Sequence, residues 1–269
     1  MGVSGAVAVG GAGGAVRDAV RMEVRRLTTV RSTAVLLAIA LLLGPLLCLL
    51  FALLLPVRSM SGDDTATVLT VGGDVAPLSV VGALLGVLGA VTVSHDYRYG
   101  LVRSVLAAVP RRGALMAARL TVLGVLAAGT ATLVSVLGAV LCALSGRRPL
   151  LDTATLRVMA FQMVVVAGWA WLGAGLGWLL RHAGGVVAVL LVLPLAVEPV
   201  LILASQFGPA AFLAPVVQWL PFASARHALG RQLATADGTV GALPAVGAFA
   251  AATALVVGLA WLRVRRADA

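Results

Sequence analysis

The chain of 269 residues contains no lysine and no asparagine. The missing lysine has a chemical consequence. A P-loop needs a lysine to reach the terminal phosphates of a nucleotide. No such loop can be built here, so nucleotide hydrolysis is excluded as this chain's own chemistry. Charge is also scarce, at 11% of residues against about 25% in an ordinary soluble domain. The three histidines, His95, His182 and His227, are single and scattered, and no H-E-x-x-H helix exists. There is no G-x-S-x-G elbow for a hydrolase nucleophile. The two cysteines, Cys48 and Cys142, lie inside long apolar stretches without metal-ligand spacing. They read as small buried apolar residues. The sequence therefore offers no catalytic residue and no metal-ligand set.

What is abundant is apolar surface. Hydrophobic residues make up 61% of the chain, and the mean hydropathy is +1.08. No small soluble core can hide this excess, so the solvent must be lipid. A spanning helix needs roughly 20 mostly apolar residues. Six stretches qualify, at 34–55, 77–94, 120–144, 158–180, 186–206 and 241–262. The fold expected is all-α, a polytopic membrane protein with six transmembrane helices in one domain over 15–262. Residues 1–14, rich in Gly, Ala and Val and without charge, are expected to form a disordered tail. They are no signal peptide, because the positive cluster follows them. Residues 263–269 form a basic tail. Lysine and asparagine both have AT-rich codons, which points to a high-GC bacterial source.

All 20 basic residues are arginine. With both termini cytoplasmic, 14 arginines lie inside and six outside, the bias that membrane insertion favours. The loop 145–157, with Arg147, Arg148 and Arg157, runs against it. A pI near 11.5 is compatible with nucleic acid. The arginines cluster at span ends rather than on a soluble face, so no nucleic-acid partner is expected. Before the first span, Val16, Val20, Val24 and Leu27 share one helical face, while Arg17, Asp18, Arg21 and Arg25 share another. This predicts an amphipathic helix lying in the inner interface, with Glu23 at the border of its apolar arc.

Gly82 with Gly86, and Gly173 with Gly177, have the small-residue spacing of close helix contact. Trp169, Trp171 and Trp178 flank the fourth span and are candidates for packing or interface anchoring. Glu198 lies within the fifth span between Pro194 and Pro199. A carboxylate at membrane depth is costly and is a functional-site hypothesis by default, here for a pathway or gate. The following proline disfavours helical geometry at residue 198, so a break is expected there. Residues 207–235, with Pro209, Pro215 and Pro221, are too interrupted to span and too apolar for a free loop. They read as short helices dipping into the outer leaflet, buried against protein.

The most polar stretch between spans is HDYRYGLVRSVLAAVPRRGALMAARL, residues 95–120, with five arginines and one carboxylate. Leu101, Val102, Val105, Leu106 and Val109 share one arc at about 100° per residue, opposite Gly100, Arg103, Ser104 and Ala107. Pro110 stops the helix. Positive-inside bias alone explains the arginines but not the apolar stripe or the proline stop.

This stretch resembles the first cytoplasmic loop of permease subunits of type-2 ATP-binding-cassette exporters. Their pattern of acidic residue, glycine, arginine, leucine, proline with basic residues and a closing basic position falls here on Asp96, Gly100, Arg103, Leu106, Pro110, Arg111, Arg112 and Arg119. The family often has glutamate first and lysine last; aspartate and arginine stand here, and an Arg–Lys exchange need not be neutral. RMEVRRLTTVRS before the first span is similar to the family's entry helix. LPLAVEPVLI and QWLPFASARHAL are similar to its fifth span and outer re-entrant region. The resemblance implies a dimer of permeases, homomeric or heteromeric, in the cell membrane. It also implies that a separate ATP-binding cassette subunit carries the ATP and Mg, with no cofactor on this chain. Loop 95–112 would then be the coupling element, with Asp96, Tyr97, Gly100, Arg103, Leu106, Pro110, Arg111 and Arg112 as its site residues. Two other classes compete: a stand-alone secondary transporter, which calls for further intramembrane charges, and a membrane-embedded enzyme, which calls for a polar cluster at one depth.

Overall fold

Hydrocarbon offers no hydrogen-bond partner to a backbone amide, so an open chain crosses it as helix. A computed structural model describes residues 12–55, 59–73, 76, 78–98, 112–231 and 240–266, and its elements follow that rule. In order they are α1 (Ala12–Thr29), α2 (Arg31–Leu54), α3 (Gly62–Leu69), α4 (Val80–Arg98), α5 (Arg112–Leu144), α6 (Thr153–Leu180) and α7 (Ala183–Val192). A π-helical turn, Leu193–Val197, joins α7 to α8 (Glu198–Ala204). A 3-10 turn, Gly208–Leu213, then leads to α9 (Ala214–Val217), α10 (Pro221–His227) and α11 (Ala242–Arg266). Among the described residues there is no strand, only an isolated bridge between Ser59 and Arg148.

Among the described residues six helices are long and apolar enough to cross a membrane: Arg31–Leu54, Val80–Tyr97, Gly113–Leu144, Thr153–Leu180, Ala183–Ala204 and Ala242–Arg266. They fall where the apolar stretches predicted them. Several run further, because polar residues at the ends stay helical: α5 begins at Arg112, eight residues before the expected start at 120, and α11 continues through Arg266. Helix α1 starts at Ala12, inside the segment expected to be a disordered tail; residues 1–11 and 267–269 lie outside the described residues.

The centre of the bundle is the α4–α6 contact. A Cβ on Gly173 would collide with the Gly86 carbonyl, and one on Gly89 with the Ala170 carbonyl, so only glycine lets these backbones meet. Trp169 fills the space beside them: its Cδ1 lies 2.7 Å from where Gly82 would carry a Cβ. Trp169 and Trp178 are buried, and Trp171 is half-buried with Nε1 donating to the Leu120 carbonyl at 2.7 Å. Gly82 and Gly86 leave room for the Trp169 ring and Gly124 for that of Trp171, so both are packing residues, and Trp178 is buried in the same core.

At one end of the bundle, α3 turns back inward after α2. Ser61 caps it by accepting from the Asp64 amide, and the Asp64 carboxylate accepts from the Ser61 amide in return. Leu69 is fully buried, and its carbonyl accepts from Ser135 Oγ on α5 at 2.8 Å. The chain then reverses through Val71, Gly72 and Gly73, all at positive φ. Cys48 and Cys142 are both buried and free, packed against one another's helices.

Candidate functional site: a buried charge cluster and a bulged fifth span

Four charged side chains meet where α1 crosses α4 and α5. Glu23 of α1 is 0% exposed, Arg119 of α5 is 2% exposed and Asp96 of α4 is 6% exposed. Arg119 donates to Glu23 as a fork, Nε to Oε1 at 3.0 Å and Nη2 to Oε2 at 3.3 Å. Its third nitrogen, Nη1, lies 2.8 Å from Asp96 Oδ2. One guanidinium thus bridges two carboxylates from two helices, the planar geometry that arginine offers and lysine does not. Arg26 closes the figure: Nη2 lies 2.6 Å from Asp96 Oδ1, and Nη1 donates to Asp96 Oδ2 at 3.1 Å. Arg26 Nη2 also donates to the Thr92 carbonyl at 2.7 Å. Two acids against two bases leave the cluster formally neutral, the condition under which burial of such groups is tolerable.

The cluster changes the reading of α1. Its buried face carries Ala19, Glu23 and Leu27, spaced by four, and packs on α5; Val24, expected on the apolar face, is 44% exposed. Glu23 is the centre of the contact, not a flaw at its edge. Of the predicted site residues, Asp96 turns into this cluster. Tyr97 is half-buried with the Arg181 guanidinium 5.3 Å over its ring, a cation–π contact that ties α4 to the turn after α6. Arg112 opens α5. Gly100, Arg103, Leu106, Pro110 and Arg111 lie outside the described residues. The structure therefore brings Asp96 together with Arg119 across the loop and adds Glu23 and Arg26. The signal for Glu23 was available: it is one of only ten acids, set between apolar positions.

Glu198, the candidate pathway or gating residue, is 4% exposed. The expected break is absent. The π turn widens the helix, and the Glu198 amide donates to the Leu193 carbonyl five residues back, so the span continues through both prolines. The Glu198 carboxylate accepts from the Phe222 amide at 2.9 Å, at the start of α10. That amide is one of the unpaired donors of a helix N-terminus, so Glu198 ties the fifth span to the proline-rich segment. Phe222 itself packs against Trp169, ring centroids 4.6 Å apart and planes tilted by 45°. Glu198→Ala is expected to orphan that amide and lower stability by about 1–3 kcal/mol, while Glu198→Gln, which keeps an acceptor oxygen, loses much less. Denaturant midpoints in micelles measure this; equal losses in both variants would show that the charge, not the hydrogen bond, holds α10.

At the same end as α10, Arg231 contacts Asp152 and Asp63, and Arg157 donates to the Arg231 carbonyl. The Thr155 amide on Asp152, with the Arg231 guanidinium nearby, holds that carboxyl below the usual carboxylate range. This contribution is present at neutral pH and fades as the pH falls through the lowered value. Compared with known proteins, the chain matches no family model and is similar to no curated protein at a significant level.

Proposed function

We propose that the chain is the membrane-spanning permease of an ATP-driven exporter in a bacterial cell membrane, with α1 and both termini on the cytoplasmic side. It forms the translocation pathway with a second permease and is driven by a separate ATP-binding cassette subunit docked on loop 95–112. The observation that carries this reading is the anchoring of that loop at both ends. Asp96 stands at its start and Arg119 seven residues past its end, and both side chains enter one buried cluster with α1. A displacement applied to a loop so held passes to α1, α4 and α5 rather than dissipating in slack chain. The amphipathic pattern of residues 97–109 and the arginines at the same end support it. Glu198, which joins the fifth span to α10, fits a gating role better than an ion-binding one, because its carboxylate is engaged by the Phe222 amide.

The test is biochemical. The chain purified alone is expected to show only background ATP turnover; an ATP-binding subunit is expected to be encoded beside its gene, and co-expression of the two to yield a stable complex that hydrolyses ATP. Hydrolysis by the isolated chain that tracks its own point mutations would overturn the reading. So would failure of any neighbouring ATP-binding subunit to co-purify.

A further inference from the structure

A cavity of ≈ 270 Å³ opens between α5, α6 and α11, walled by Leu120, Gly168, Trp171, Phe249, Ala254 and Val257. The small side chains at Gly168, Ala250 and Ala254 leave this space unfilled. Its walls are held in place: the Trp171 indole is pinned to the Leu120 carbonyl, and the Phe249 ring packs on the bare Gly168 backbone. Ala254 and the neighbouring Val164 are exposed, so the opening faces sideways from the spans, toward the bilayer core. An apolar cavity of about 150 Å³ already stays dry and takes a hydrocarbon guest. This one is larger, and hydrocarbon surrounds it.

A charged cap lies over the same groove. Trp261 of α11 lies against Gly113 of α5, its ring 2.6 Å from where a Cβ would stand. Arg263 donates to the Leu179 carbonyl near the end of α6 at 2.6 Å, and the Arg265 guanidinium lies 5.2 Å over the Trp261 ring. Arg263 on the α6 side and Arg265 with the Trp261 indole on the α5 side thus flank the groove where the helices reach the membrane surface, and Arg266 follows one residue further along α11. At 1.5 Å per residue the cavity lies roughly 9 to 21 Å below Arg263 along α11. Half a bilayer, headgroup included, is about 20–22 Å. A lipid with its phosphate at the arginines has its tail at the depth of the cavity.

We propose that this groove binds one anionic phospholipid, its phosphate on Arg263, Arg265 and Arg266 and one acyl tail in the cavity. Guanidinium groups supply paired donors to phosphate oxygens, and an anionic headgroup offsets a positive cluster that a zwitterionic one does not. The site is independent of the transport reading: it requires only that the six helices span a bilayer.

The experiment is retention of lipid by the full chain. Protein is equilibrated with mixed phosphatidylglycerol and phosphatidylcholine, stripped in detergent, and examined by native mass spectrometry. Wild type is expected to retain phosphatidylglycerol over phosphatidylcholine by about tenfold or more, equivalent to about 1.4 kcal/mol. Ala254→Trp, which plugs the cavity, and the triple change Arg263→Gln, Arg265→Gln, Arg266→Gln should each abolish the preference. Arg148→Gln, at the opposite end, should preserve it. Ala254→Leu, a smaller plug, guards against misfolding of the tryptophan variant and should lower retention in the same direction. Equal retention of the two lipids by wild type, or undiminished retention in both plugged variants, would overturn the proposal. So would a plugged variant that keeps its lipid but changes its oligomeric state, because the groove would then be a protein contact.

Discussion

Arg119→Ala is expected to destabilise the protein by about 3–5 kcal/mol, the usual cost of removing one member of a buried ion pair. The loss comes less from the missing attraction than from what remains. Glu23, fully buried, would keep only Arg26 at 3.8 Å, and Asp96 would lose one of its two arginines. Arg119→Lys keeps the charge but cannot form the fork to Glu23 while also reaching Asp96, so an intermediate loss is expected. The informative partner is the double change Glu23→Leu, Arg119→Met. It removes one acid and one base of similar bulk and leaves the Arg26–Asp96 pair standing. Replacing a buried pair by apolar side chains is often neutral or stabilising, so this variant should recover most of the loss. Unfolding midpoints in detergent, read for the three variants together, decide the matter. A loss below about 1 kcal/mol in Arg119→Ala would place the cluster in the class of solvated surface pairs. Failure of the double variant to recover would mean that Arg119 holds α1 by packing rather than by charge.

Two substitutions in the loop should fail in different ways if the exporter reading holds. Leu106→Asp puts a carboxylate on the apolar arc of residues 97–109, where burial without a partner is costly. It should abolish assembly with the ATP-binding subunit. Arg103→Glu reverses a charge on the opposite arc, where charge tunes docking and partner choice more than it supplies affinity. It should weaken co-purification by about tenfold, equivalent to about 1.4 kcal/mol, or leave assembly intact while uncoupling hydrolysis from transport. Neither residue is one of the four charged groups of the cluster, so the protein itself should insert and unfold as wild type. The measurement is recovery of the ATP-binding subunit and substrate-stimulated hydrolysis at equal membrane expression. Normal assembly and transport in both variants would reduce the stretch to a basic loop that merely obeys positive-inside bias.

The six spans were legible because each is a local property: about 20 apolar residues in a row need no knowledge of any other segment. Gly86 and Gly173 were legible for the same reason, as spacings within one helix, although which helix each would meet was not. The cluster was hidden because its pairs are distant in the chain. Seen on the α1 sequence alone, Glu23 is an acid spoiling an apolar stripe; only Arg119 makes it the centre of a contact. The expected break at Glu198 failed because proline rules describe an α-helix, and the span escapes them by widening to a π turn over Leu193–Val197. Helix α3 could have been found: Ser61 and Asp64 spell a capping box before a short apolar run. A loop between spans is simply not where a buried helix is first sought.

The separation of the clustered charges along the chain also sets a schedule for synthesis. Arg26 waits 70 residues for Asp96, and Glu23 waits 96 residues for Arg119. At 5–20 residues per second, the second interval is about 5–20 s. Until then the Glu23 carboxylate, once α1 has left the ribosome, has only its helix neighbour Arg26 beside it, 3.8 Å away in the finished fold, and lacks the two-point fork from Arg119 with which it is buried. Docking of α1 is therefore a late act of biogenesis, held back until α4 and α5 are both in place. A ribosome that stalls before residue 119 leaves the helix undocked, an exposed mark of an unfinished chain.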